Sequence, residues 1–146
     1  MIQIIKPNLN IKKWAIDLVV NNMKIYNKTP FLRYAKSKSI NNPENIFLIN
    51  YVDSSEFSYN AFATVRIINN ILYIYEIHVE STARNKGIGS DLIKCIKNHY
   101  TNVNQIVLYV HKKNTRGIEF YKRNEFIINN EAKCDHKYHE MVFTMN

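Results

Sequence analysis

A chain of 146 residues, 46% of them apolar, is long enough for one domain with one core and too short for two. No apolar run approaches the roughly 20 residues of a membrane span, and the opening MIQIIKPNLN lacks the basic start and long apolar stretch of a secretory signal. The formal charge is +8, yet the lysines are spread along the chain as on a solvated surface, so direct nucleic-acid binding is not expected.

In chain order, IKKWAIDLVVNNMKIY (11–26) places Ile11, Trp14, Ala15, Leu18, Val19, Asn22 and Met23 near one stripe, which predicts an amphipathic helix. TPF (29–31) interrupts it, and FLRYAKSKSI (31–40) predicts a second short helix before the break at Asn42-Pro43. IFLINYV (46–52) and YNAFATVRII (59–68) read as strands joined by the polar turn DSSEFS (53–58). Asn69-Asn70 can take positive φ and close a hairpin into ILYIYEIHV (71–79), which is apolar on both faces as a central strand is. Ile88, Leu92, Ile93 and Ile96 have helical spacing in 88–100. A strand at 105–111, a short helix at 115–124 and strands near 125–129 and 138–145 complete the chain. Helices, three strands, helix, strand, helix and two strands predict an α/β (α+β) domain, a mixed sheet with helices packed on it.

Two of the three glycines, Gly87 and Gly89, fall between the central strand and the helix that follows it. A helix start leaves backbone N–H groups unpaired and carries partial positive charge, and glycine lets an anion approach that backbone closely. Arg84 and Lys86 add cations and Ser90 a hydroxyl. The stretch matches neither GxxxxGK[ST] nor GxGxxG, and a simple tight turn is the alternative.

The pattern Arg84-x-x-Gly87-x-Gly89 between strand and helix resembles the acetyl-CoA loop of the GNAT N-acetyltransferases. NTRGIEFYKRNEF (114–126) resembles that superfamily's second signature, in which Asn114 starts a helix bearing Phe120-Tyr121. Glu125 stands where the signature has glycine, and Asn124 beside it can supply the left-handed helix end. The resemblance implies the GNAT fold, with the acetyl-CoA loop between the fourth strand and third helix, and acetyl-CoA as cosubstrate.

Within that superfamily the chain most resembles the NatD-type N-alpha-acetyltransferases, which acetylate the N-terminal Ser-Gly-Arg of core histones. WAIDL (14–18), Asn22-Met23, LYIYEIHVES (72–81) and RNKGIG (84–89) carry this resemblance. It implies catalytic roles for Tyr75 and Glu76, and a substrate face formed by Tyr26, Phe31, Tyr75 and Tyr138. It also implies cofactor contacts from His78, Val79 and Glu80, from Arg84, Asn85, Lys86, Gly87, Ile88, Gly89, Ser90 and Asp91, and from Tyr109, Asn114 and Tyr121. The expected partner is a protein or peptide N-terminus acetylated by a monomer in cytoplasm or nucleus, without membrane contact.

The chemistry is consistent with these residues. An α-amine near pKa 7.7–8.0 must lose one proton but needs no powerful base. Glu76, in an otherwise apolar strand, is the expected base, with its pKa raised by burial. The alternative is a buried acid satisfied by tyrosines or Arg66. A backbone N–H near His78 or Val79 would stabilise the oxyanion. Neighbours on a regular strand face opposite ways, so Tyr75 and Glu76 share a site only across a bulge, which is therefore predicted. Tyr121 is expected as general acid for the leaving thiolate, or only as packing against the cofactor.

No metal is expected. The two cysteines, Cys95 and Cys134, form no framework and suggest a reducing compartment, and Cys134, Asp135, His136 and His139 have no second ligand cluster. His111 reads as a strand-end residue. NatD relatives hold the histone arginine with acids before Tyr-Glu, and VRIINNIL (65–72) has none. Either Glu80, Glu131, Asp135 or Glu140 supplies that charge or the peptide differs. The competing readings are a small-amine acetyltransferase, such as one for polyamines, and a non-catalytic acetyl-CoA-binding or nucleic-acid-binding module.

Overall fold

In a computed structural model, which describes all residues except 54–56 and 134, the described residues form a seven-stranded sheet with four α-helices. The elements are β1 (Ile2–Ile5), α1 (Leu9–Met23), α2 (Leu32–Ile40), β2 (Ile46–Tyr51), β3 (Tyr59–Ile68), β4 (Ile71–Val79), α3 (Ile88–His99), β5 (Gln105–His111), α4 (Thr115–Arg123), β6 (Ile127–Ile128) and β7 (Tyr138–Thr144). The strand order is β1-β2-β3-β4-β5-β7-β6, and only β4 and β5 run parallel. This is the mixed α/β architecture expected from the sequence, with one more strand. Four residues at an edge, IQII, are too few to show a period, and β1 is defined by its antiparallel pairing with β2.

The local reasons are legible. The Asn8 side chain accepts from Ile11 N at 2.9 Å and starts α1, which stops at Met23 rather than continuing to residue 26. Asn69 and Asn70 take φ of 50° and 65°, the mirror-image turn that suits the twist of the β3–β4 hairpin. The predicted turn at 53–58 lies partly outside the described residues.

The sheet divides the core in two. Leu92, Ile93 and Ile96 of α3 and Ile118 of α4 pack with Leu48, Ala61, Ala63, Val65, Leu72 and Ile74 on one face. Ile11, Ala15, Leu18 and Val19 of α1 and Ile40 of α2 pack with Phe47, Ile49, Tyr51 and Phe62 on the other. Alternation along β2 and β3 sends neighbouring side chains to opposite cores, so this register commits both helical layers at once.

At the end of α4 the expectation about Asn124 is corrected. Its φ is −94°, and Glu125 itself takes the left-handed conformation, with φ of 73°. Asn124 instead turns its side-chain Nδ2 to Phe120 O at 2.9 Å and to Ser90 Oγ at 3.2 Å, tying α4 to α3.

Candidate active site

β4 and β5 pair only from Ile71↔Gln105 to Ile74↔Leu108. Beyond that point β4 stays with β3 and β5 with β7, so the sheet opens between its two parallel strands. A cavity of about 1090 Å³ occupies the opening, lined by both strands, the loop before α3, the start of α4 and the end of α1.

The predicted bulge is present. Thr64 pairs with Glu76 and Val65 with Ile74, leaving Tyr75 as the extra residue. Ile74 and Ile77 consequently both belong to the α3 side, while Glu76 turns to α2 and His78 stacks on Phe62 at 5.8 Å. Tyr75 and Glu76 both line the cavity.

Glu76 is 5% exposed, and both carboxylate oxygens are engaged. Lys36 Nζ of α2 donates to Oε1 at 2.6 Å, and His78 Nε2 lies 2.7 Å from Oε2. Burial raises the carboxyl pKa, but the hydrogen bond with His78 and the charge and hydrogen bond of Lys36 outweigh it, so the net shift is downward. The expectation of a raised pKa is thus corrected. It treated the strand's apolar neighbours as the whole environment, whereas the partners come from α2 and from two residues along the bulged strand. Nor do tyrosines or Arg66 satisfy the acid. Arg66 donates to Asn45 Oδ1 and Ser39 O, and its guanidinium lies 3.7 Å over the Tyr75 ring.

The loop before α3 separates the two glycines' roles. Gly87 is left-handed, φ 79°, with open space where a Cβ would stand. At Gly89 a Cβ would lie 3.0 Å from Phe120 Cζ, so here the missing side chain allows close α3–α4 contact. No side chain caps α3, which leaves the N–H groups of its first turn to an anion. Arg84, Arg116 and Arg123 also line the cavity, so its residues suit the phosphates of a coenzyme.

Asn114 caps α4 by accepting from Gly117 N at 2.9 Å, and its Oδ1 also accepts from the Tyr26 hydroxyl at 3.2 Å. A Cβ on Gly117 would lie 2.5 Å from Asn114 Nδ2. Gly117→Ala is therefore expected to displace the cap, release Tyr26 and cost about 1–2 kcal/mol, which chemical denaturation will measure; wild-type stability would remove Asn114 from this role.

His111, expected only as a strand end, stands in the cavity wall between Tyr26 (6.0 Å, stacked) and Tyr138 (5.3 Å, edge-on). Its alternation on β5 could have signalled this, but only the β5–β7 register brings Tyr138 opposite it. Lys36 and Asn22 were likewise not singled out for the site.

Of the other predicted residues, His78, Val79, Arg84, Asn85, Gly87, Ile88, Gly89, Ser90, Tyr109, Asn114, Tyr121, Tyr26 and Tyr138 line the cavity. Glu80, Lys86, Asp91 and Phe31 lie outside its lining. The Glu80 carboxylate accepts from Trp14 Nε1 at 2.7 Å, joining β4 to α1, and Phe31 is 69% exposed before α2. Tyr121 is half-buried, and burial, with the Glu76 charge second, pushes its phenol well above the ordinary range. Among the described residues no three His, Cys, Asp or Glu side chains are grouped to hold a metal, and no helix is long and apolar enough to cross a membrane. Cys134 lies outside the described residues.

A splayed parallel pair, an uncapped helix start beneath it and a buried acid at the split together suit transfer of an acyl group from a phosphate-bearing carrier. The sequence profile of the Acetyltransferase (GNAT) family matches residues 16–126, and the chain belongs to that family. Its fold is similar to that of PaiA N-acetyltransferase from Thermoplasma acidophilum, solved in complex with coenzyme A (TM-score 0.79, 23% identity, 99% of each chain covered). It is also similar to Tetrahymena GCN5 (0.78, 14% identity, 100% of this chain and 96% of that one). A third similar structure is Arabidopsis thaliana NAA60 with a bisubstrate analogue (0.71, 15% identity, 100% and 99%).

Proposed function

We propose that this acetyltransferase moves the acetyl group of acetyl-CoA to the α-amine of a protein or peptide N-terminus, in cytoplasm or nucleus. The observation that carries the reading is the make-up of the acceptor end. Tyr26, His111 and Tyr138 form an aromatic wall beside Tyr75, and among the described residues the carboxylates lining the cavity are Glu76 and Glu119. Glu76 is already paired, so a polyamine would find few acids for its several charges.

Acetyl-CoA supplies a thioester acetyl group; the α3 N–H groups, Arg84, Arg116 and Arg123 would hold its phosphates. Glu76, paired with Lys36 and His78, fixes the wall of the split at which the acceptor amine would meet the thioester. Tyr121 stays protonated at neutral pH, so its hydroxyl can donate a hydrogen bond to the leaving sulfur. Tyr121→Phe is expected to lower kcat about tenfold or more with acetyl-CoA affinity retained. Unchanged kcat would leave Tyr121 with packing alone, against Phe120 and Phe126.

The histone-type Ser-Gly-Arg N-terminus suggested by sequence resemblance is the first peptide to test. A panel of Ser-Gly-Arg-Gly, a neutral Ser-initiated peptide, an Nα-blocked lysine peptide and spermidine, each with acetyl-CoA, discriminates the readings. The proposal expects both free N-termini to exceed spermidine in kcat/KM. Preference for spermidine or the lysine side chain would overturn it. Within the N-terminal class, the ratio of the two Ser-initiated peptides reads whether an arginine at the third position is favoured.

A further inference from the structure

Glu76 is an awkward proton acceptor as the site stands. Its two oxygens are occupied by Lys36 at 2.6 Å and His78 at 2.7 Å. Even an ordinary carboxylate is more than about a thousandfold more acidic than an α-ammonium group, so a proton placed there would have to displace an ion pair and climb steeply.

The hydrogen-bonded chain does not end at Glu76. Arg84 Nη2 donates to Asn22 Oδ1 at 2.8 Å. The Asn22 amide nitrogen is therefore the atom 3.2 Å from His78 Nδ1. An amide nitrogen only donates, so Nδ1 is an acceptor, and the ring proton sits on Nε2, facing Glu76 Oε2. Phe62 stacks on the ring at 29° and holds its plane. Asn22, His78, Glu76 and Lys36 all line the cavity.

We infer that His78 is a catalytic residue of this site: its Nδ1 takes the proton lost by the acceptor amine, directly or through one water, while Glu76 orients the ring. The inference rests on the acetyltransferase reading above. Asn22, a neutral donor at the longest contact of the chain, is the group that the amine or water replaces. Imidazole is the side chain best matched to an amine at neutral pH. The charged groups around the ring are Glu76 on β4, Lys36 of α2 beyond it, Arg84 behind Asn22, and Glu80 at the end of β4, held by Trp14 of α1. The imidazolium formed is thus paired directly with a carboxylate. In the balanced step the amine nitrogen bonds to the acetyl carbon and the carbon–sulfur bond breaks. One amine proton goes to His78 Nδ1 and passes, by way of solvent, to the leaving sulfur, to which the Tyr121 hydroxyl donates a hydrogen bond.

The test is a pH–rate series on the parent, His78→Gln and His78→Ala, with and without added imidazole, using the best acceptor of the panel. His78→Gln is expected to lose about a hundredfold or more in kcat, to keep the acetyl-CoA KM, and to lose the acidic limb. Imidazole should restore part of the activity of His78→Ala. Activity of His78→Gln within about threefold of the parent, with the limb kept, would overturn the assignment. Nitrogen-15 spectra of ring-labelled parent protein give a readout independent of any acceptor: an unprotonated Nδ1 in the neutral ring is expected, and a protonated one overturns the proposal. If only a small amine is acetylated, the N-terminal reading fails while the same series on that amine still decides His78; if nothing turns over, the spectra decide it.

Discussion

Glu76→Gln is expected to lower kcat about a hundredfold or more and to destabilise the fold by about 2–3 kcal/mol. The activity falls because the amide removes the charge that orients the His78 ring and pairs with it once protonated. The stability falls because a side chain only 4% exposed loses its charge opposite Lys36 and His78. Lys36 keeps 23% exposure and can turn to solvent, which places the cost below the upper end for a broken buried pair. The effect depends on pH with a definite sign. The folded carboxyl has the lower pKa, so its stabilisation is fully present above the unfolded carboxylate pKa and is lost as pH falls through the folded one. Thermal unfolding of both proteins should therefore show a Tm gap that is widest near neutrality and narrows towards pH ~3. A gap constant across that range would mean the ion pairs contribute nothing to stability.

Gly89→Val is expected to raise the acetyl-CoA KM about tenfold or more, with a smaller change in kcat once saturated. A Cβ there already meets Phe120 Cζ at 3.0 Å and Val79 Cγ2 at 3.8 Å, and branching adds two more carbons. The new side chain must push α4 from α3 or stand in the opening between them. Gly87→Ala forms the contrast: nothing lies within 4 Å of its Cβ, but φ of 79° makes any side chain cost about 1–2 kcal/mol. Calorimetry with coenzyme A and thermal unfolding of both variants separate the two. The Gly89 variant should lose affinity and the Gly87 variant chiefly stability. Unchanged coenzyme affinity in Gly89→Val would remove α3–α4 spacing from the account of the loop.

The fold and the cofactor end were legible because their signals are local. Strand and helix periods, the Asn69-Asn70 turn, the Asn114 cap and the glycine pair before α3 are each carried by a few adjacent residues. Even the bulge at Tyr75 was legible, since two polar neighbours facing one cavity require it. The misread parts were those that depend on pairing across the chain. β1 exists through β2, and the residue that turns left-handed after α4 is Glu125 rather than Asn124.

The acceptor end shows the same division most clearly. An acid in the central strand, an anion-accepting helix start after it and a resemblance to acetyltransferases all follow from short runs of residues. The state of that acid depends on groups that folding brings to it. Lys36 reaches it from a helix 40 positions away, and Asn22 reaches its histidine partner across 56 positions while itself held by Arg84, 62 positions along. A carboxyl pKa answers to charges within a few ångströms, whatever their separation along the chain. The sheet and the α1–α2 layer therefore turn an isolated buried acid, with its pKa expected to rise, into a paired one whose pKa falls.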